Sequence, residues 1–179
     1  WANPGEALAD PDVASMYPSF IVNYGVSPHH LSSKVFLGIV EWLRTTRLDA
    51  KHNGRKLEAD ALKIVINRIY GALNDAMDYL YDPECTYTVT INLQLLLCNL
   101  IESFELNGFD VLSANTDGLL IRRPNDRLDL FNHICKEWED YSKLSLDTEV
   151  FEKYCRSAVN DYIAVGYGFY DALQEYNRC

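Results

Sequence analysis

The chain has 179 residues and a formal net charge of −10, with 26 acids against 16 lysines and arginines. With 48% of its residues hydrophobic it has the means to bury a core, which excludes a disordered segment. The acidic balance excludes a surface that coats nucleic acid without preference, and five cysteines without C-x-x-C spacing exclude a complete disulfide set or a cysteine zinc site and fit a reducing compartment.

No stretch reads as a signal peptide or membrane span, since the apolar run over residues 95–100 is short and broken by polar residues, so no membrane partner is expected. The chain begins at Trp1, which suggests a piece of a longer protein. Its charge is uneven. From Arg44 to Arg68 there are seven basic residues against three acids, a local +4 that suggests a site for an anion.

In chain order, a short strand opens at Asp12 and is stopped by Tyr17-Pro18, because proline biases its predecessor toward extended geometry. A short helix or turn over 19–24 follows, closed by Gly25. Ser32 or Ser33 caps a helix to about Ala50, with Val35, Ile39, Trp42 and Leu43 as its apolar stripe. Arg47 and Lys51, four apart, share a face. Asn53-Gly54 turns a basic loop into a second helix over about 57–81, on which Lys63, Asn67, Tyr70 and Gly71 fall on one side. The two make an antiparallel helical hairpin.

Pro83 interrupts the pattern, and a third helix runs over about 86–107 with Leu93, Leu96, Leu97, Leu100, Ile101 and Phe104 inward. Gly108 ends it. Residues 109–113 and 119–121 then read as two strands joined by Ala114-Asn-Thr-Asp-Gly118, a hairpin tip in which Asp-Gly supplies a positive φ. A helix over 126–144, capped by Asn125, turns Leu130, Phe131, Ile134 and Trp138 inward. Strands over 149–154 and 158–165, a loop at 166–168 and a helical tail from Phe169 complete the chain. The fold class is α+β: a small antiparallel sheet packed against helices, with a two-helix hairpin standing apart.

Asp12 and Asp117 each sit at a strand end or turn. If their strands are neighbours, the carboxylates converge on one edge of the sheet. Their repulsion is relieved by hard divalent cations, and two metals about 3.5–4 Å apart can hold the attacking and leaving oxygens of a phosphoryl transfer. Arg47, Lys51 and Lys63 suit a triphosphate, and Tyr17 can pack against a sugar. Taken singly, each feature also has a plain structural explanation: a capping carboxylate, a tight turn, a solvated helix face.

Three segments together carry more. Asp12-Val-Ala-Ser-Met-Tyr-Pro-Ser19 resembles the first palm motif of family B DNA polymerases, D-x-x-S-L-Y-P-S. Lys63-Ile-Val-Ile-Asn-Arg-Ile-Tyr-Gly71 resembles their fingers motif K-x-x-x-N-S-x-Y-G, and Ala114-Asn-Thr-Asp-Gly118 resembles Y-G-D-T-D-S, in the same order. The resemblance implies a palm over 1–30 and 81–179 and a fingers hairpin over 31–80. It implies template-directed DNA synthesis with Mg2+ (two ions, Mn2+ substituting), deoxynucleoside triphosphates and primer–template DNA as partners, and exonuclease and thumb regions elsewhere in the protein.

By the same resemblance Asp12, Asp117 and the Val13 carbonyl are metal ligands. Tyr17 is a gate against the 2′-hydroxyl, with Ser15 and Met16 beside it at the triphosphate. Arg47, Lys51, Lys63 and Asn67 bind nucleotide, Tyr70 and Gly71 form the floor under the nascent base pair, and Asn115, Thr116 and Tyr162 lie toward the primer–template. Leu146-Asp-Thr-Glu149 is similar to the L-E-x-E strand. The short fingers and the Asn-Thr-Asp form look most like a bacteriophage enzyme, working in the cytoplasm of an infected bacterium. The departures are Asn115 for the first acid of D-T-D, Gly118 for serine, Arg68 for the serine after Asn67, and Val159-Asn-Asp-Tyr162 where K-K-x-Y grips primer. They keep open an alternative, a nonenzymatic nucleic-acid-binding module of polymerase shape.

Overall fold

The computed structural model describes residue 2, residues 5–158 and residues 161–166. The loop and tail expected from residue 167 onward lie outside them, as do residues 159–160. The chain divides into two compact units, one formed by Trp1–Val13 with Leu97–Cys179, the other by Ala14–Leu96. The helix α4 (Pro83–Leu106) contributes to both.

The first unit is built on a five-stranded antiparallel sheet of β1 (Glu6–Val13), β2 (Asp110–Ala114), β3 (Leu119–Pro124), β4 (Leu146–Ala158) and β5 (Asp161–Gly166), in the order β2-β3-β1-β4-β5. Alternation along β1 divides its side chains. Ala7, Ala9 and Val13 are buried on one face, and in register with them stand Arg123 and Ile121 of β3. This is the helix-covered side, where Phe104 of α4, Phe109 and Phe131 of α5 (Leu128–Ser142) pack ring against ring at 5.1–6.1 Å. The other face carries Leu8, Asp10 and Asp12. Leu8 packs there with Leu120 and Phe151, and the carboxylates occupy the end of the same face.

In the second unit α1 (Met16–Tyr24) precedes the hairpin of α2 (Ser33–His52) and α3 (Lys56–Leu73). The α+β class and the helical hairpin agree with expectation; several boundaries do not. The first strand starts six residues before Asp12 and ends just after it. Tyr17 and Pro18 form the first turn of α1, where a missing N–H costs nothing. Gly25 closes that helix in the left-handed region, φ 69°.

Of the stripe expected on α2 only Leu43 is buried: Val35, Ile39 and Trp42 are exposed, and Phe36, Val40 and Ala50 are buried with Leu43 instead. Both sets have helical spacing, one residue apart, so periodicity alone could not choose between them. Ser32 stands at the α2 cap position without a side-chain capping bond. α3 ends at Leu73, eight residues early, because two Asx turns take over: Asp75 Oδ1 accepts the Met77 N–H (3.1 Å) and Asp78 Oδ1 the Leu80 N–H (3.0 Å). Arg68 pairs with both aspartates.

Pro83 begins α4 instead of interrupting it. Asp82 caps the helix through its Oδ1, which accepts the Cys85 N–H at 3.0 Å. Val89, Leu93, Leu97, Leu100 and Phe104 form its buried stripe. By length and composition alone α4 could cross a membrane, which the reading of its broken apolar run missed, and 33% of its apolar window is buried. Asn125 is no cap; it opens a 3-10 turn, Asn125–Arg127, before α5. β4 (Leu146–Ala158) is longer than expected at both ends, whereas β5 (Asp161–Gly166) is shorter and starts later.

Candidate active site

Asp12 is the penultimate residue of β1, and the tip of the β2–β3 hairpin lies beside it. Asp12 pairs with Gly118 as an isolated antiparallel bridge, and the Val13 N–H donates to the Asp117 carbonyl at 2.7 Å. The backbones bearing the two predicted carboxylates are therefore neighbours. The tip is shaped by Asn115, whose Oδ1 accepts the N–H groups of Gly118 (2.6 Å) and Asp117 (3.1 Å) while its own N–H donates to the Gly118 carbonyl. An amide oxygen does this without adding another charge. Thr116 is exposed at the tip.

Gly118 does not adopt the positive φ expected of it. It is required for space: a Cβ there would lie 2.9 Å from Asp12 Oδ1 and 3.2 Å from the Pro11 carbonyl.

Register places Asp147 opposite Asp12 and Glu149 opposite Asp10. These four acids line a cavity of about 370 Å³ together with Asn115 and Gly118. The Asp117 side chain is half-buried and does not line it, yet its charge is felt there. Burial, then Glu149, then Asp117 push the Asp10 carboxyl above its ordinary range. Four carboxylates offer hard oxygen donors of the kind Mg2+ or Mn2+ takes. Among the described residues no three acids, histidines or cysteines are gathered as a ready-made cage. That is compatible with Mg2+, which keeps waters and binds through one or two carboxylates and substrate phosphates.

A bulge in β4 between Phe151 and Lys153 shifts the alternation, so that Tyr154 and Arg156 reach the cavity face that strict alternation from Glu149 would have given to Lys153 and Cys155. Tyr162 of β5 stands in register with Arg156 and stacks on Tyr154, centroids 4.8 Å apart. Arg156 Nη1 donates to Ser113 Oγ of β2.

The second unit holds the other predicted residues. Ser15 takes a left-handed conformation, φ 50°, at the start of α1, and its Oγ accepts from Arg47 Nη1 of α2. Tyr17 stacks on Tyr70 of α3, centroids 4.0 Å apart and planes 19° from parallel. Tyr70 is tied by a 2.6 Å hydrogen bond to Thr90. Thr90 spends its proton on the Thr86 carbonyl, so the tyrosine hydroxyl is the donor. The Met16 side chain is buried. Lys51, Lys63, Asn67 and Gly71 are exposed along the helical hairpin.

Sequence reading missed Asp10, Tyr154 and Arg156. Asp10 was signalled by its spacing of two from Asp12 on a strand. The other two depend on a bulge that no local pattern announces.

No protein-family model matches the chain. It is 26% identical over 116 residues to DNA polymerase II of Escherichia coli, a match covering 65% of this chain and 14% of that relative. It is 27% identical over 168 residues to a DNA polymerase of Thermococcus gorgonarius, covering 75% of this chain and 22% of that one. The fold matches the family B DNA polymerase of the archaeon Pyrobaculum calidifontis with a TM-score of 0.65 at 18% identity, over 93% of this chain and 27% of the other. The chain thus spans 14–22% of the length of these two curated relatives. By sequence it is similar to these DNA polymerases, and its α+β fold matches that of part of a family B DNA polymerase.

Proposed function

We propose that this chain carries the polymerising centre of a DNA polymerase, adding deoxynucleotides to a primer 3′-hydroxyl under direction of a template and releasing pyrophosphate. The observation that carries the reading is the pairing of Asp12 with Gly118, which sets the Asp12 and Asp117 backbones side by side at the mouth of an acid-lined cavity. Asp12 and Asp117, with the Val13 carbonyl, would hold divalent cations, Mg2+ or Mn2+. When bound, a metal pair lowers the charge barrier to attack on the α-phosphorus and to departure of pyrophosphate.

The rest of the work is positioning, as phosphoryl transfer requires. Arg47, Lys51 and Lys63 are the cations for the triphosphate. Arg47 is set for this by its bond to Ser15, which leaves the remaining guanidinium donors for phosphate oxygens. Tyr17, stacked on Tyr70, is the proposed flat surface for the sugar and gate against a 2′-hydroxyl. Asn67 and Gly71 serve the nucleotide and the nascent pair beside Tyr70. The short hairpin and the Asn115-Thr-Asp form favour a phage replicative enzyme acting in the cytoplasm of an infected bacterium, with further polymerase regions supplied by the rest of the protein.

The test is calorimetric titration of dATP and Mn2+ into the 179-residue chain. Nucleotide binding should require the metal and weaken at least about ten-fold in Asp12→Ala and in Asp117→Ala with the circular dichroism unchanged. Binding that ignores metal, or variants that bind like the wild type, would refute the reading.

A further inference from the structure

Thr90 of α4 lies outside the three motifs and is tied to one of them. Its Oγ accepts the Tyr70 hydroxyl at 2.6 Å, while its own proton goes to the Thr86 carbonyl, one turn earlier, at 2.8 Å. Thr86 in turn donates its hydroxyl to the Asp82 carbonyl at 3.1 Å. A back-bond of this kind holds a threonine in one rotamer, here the one that leaves a lone pair for Tyr70.

Tyr70 is half-buried, and the bond to Thr90 is the one hydrogen bond of its hydroxyl among the described residues. Its ring lies nearly face to face with that of Tyr17, centroids 4.0 Å apart. A ring held by its face and by its hydroxyl cannot turn without breaking one of the two contacts. The α4 hydroxyl therefore reaches Tyr17 through one hydrogen bond and one stack, all inside the unit formed by Ala14–Leu96. We propose that Thr90 is a positioning residue for sugar selection: by anchoring Tyr70 it holds Tyr17 where Tyr17 excludes a 2′-hydroxyl. This inference rests on the polymerising role proposed above and adds to it a residue that no motif contains and that touches no nucleotide itself.

The competing explanation is that Thr90 only fastens α4 to α3. The two differ in what they move. A fastening changes stability and treats all nucleotides alike, whereas a positioning bond changes the preference between sugars. The experiment titrates dATP and ATP, each with Mn2+, into the 179-residue chain by calorimetry and reads the ratio of the two Kd values. In the wild type ATP should bind about ten-fold or more weakly than dATP, the scale on which a pocket rejects one extra group. Thr90→Val keeps the shape and removes the hydroxyl, and should lower that ratio roughly five-fold, the worth of one hydrogen bond. Tyr70→Phe cuts the same bond from the other side and should lower it equally. The double variant should lose no more than either single one, since the two groups act as one contact. Thr90→Ser keeps the hydroxyl and should keep the wild-type ratio.

A Thr90→Val chain that melts earlier but keeps the wild-type ratio would overturn the proposal in favour of the fastening. If Thr90→Val does not fold, an unchanged ratio in Tyr70→Phe would overturn it instead, as would a wild-type chain that takes both sugars equally. The polymerising role is scored separately by the loss of metal-dependent dATP binding in Asp12→Ala, so the sugar preference can fail while that role stands.

Discussion

At Gly118 the missing side chain is the feature that matters. The hydrogen at Cα faces Asp12 Oδ1 across a gap that a methyl group would reduce to 2.9 Å, and the second nearest atom is backbone, the Pro11 carbonyl, which cannot swing away. Gly118→Ala must therefore push the hairpin tip from β1 or turn the Asp12 carboxylate out of place. We expect a stability loss of about 1–3 kcal/mol in urea, as for other overpacking changes. Metal-dependent dATP binding should fall by more than that loss of folded chain explains. Wild-type binding in Gly118→Ala would show that the tip and Asp12 are not tightly coupled. The neighbourhood of Asp12 and the hairpin tip was legible in the sequence, since the Asp12 backbone pairs with the tip that carries Asn115 and Asp117. The reason for the glycine was not, because the strand-end approach is a tertiary fact with no local signature.

Among the elements, helix existence was legible and helix boundaries were not. The α2 stripe held only at Leu43, because two apolar rows, Val35-Ile39-Trp42 and Phe36-Val40-Leu43, satisfy the same spacing, and only packing decides which is buried. The start of α4 failed for a different reason. Proline was taken as a breaker where Asp82-Pro83 is a start signal, aspartate capping and proline in the first turn. The cap is reinforced from the loop before α2, where His29 donates both its backbone N–H and its Nδ1–H to Asp82 Oδ2 at 2.9 Å. Burial alone would raise the Asp82 carboxyl. The amides of Cys85 and His29 and the His29 ring more than offset that, lowering it to about 2. Hydrogen bonding and the charge of Asp82 in turn raise the His29 imidazole.

The signs set a pH window. The Asp82 contribution is complete above its unfolded value of 3.8 and is lost as pH falls through about 2. The His29 contribution is complete below its ordinary 6.5 and is lost as pH rises through its raised value. Asp82→Ala should thus cost about 1–2 kcal/mol in chemical denaturation near pH 5, the ordinary worth of such a cap. The cost should shrink toward pH 2 and, more modestly, above neutrality. A cost that shrinks toward pH 2 but stays constant above neutrality would mean that the cap, and not its ion pair with His29, is all that matters there.

Over the whole molecule the residues proposed to act are distributed between two compact units, with the acids on one and Arg47, Lys51, Lys63, Tyr17 and Tyr70 on the other. The net charge, read alone, argues against bulk nucleic-acid binding, while the local charge of the helical hairpin suits an anion. Motif order carried the resemblance, because three short matches in sequence order constrain far more than any of them singly, and the fold agrees over nearly all of the chain. The strand order β2-β3-β1-β4-β5 then accounts for how residues 12 and 117, a hundred positions apart in sequence, come to lie on adjoining strand ends. Crystals grown with Mn2+ and dATP give the most direct measurement, an anomalous difference map. The account predicts a manganese peak within about 2.0–2.6 Å of carboxylate oxygens from both Asp12 and Asp117. A peak bound to other residues, or none at occupancies that show the nucleotide in place, would contradict it.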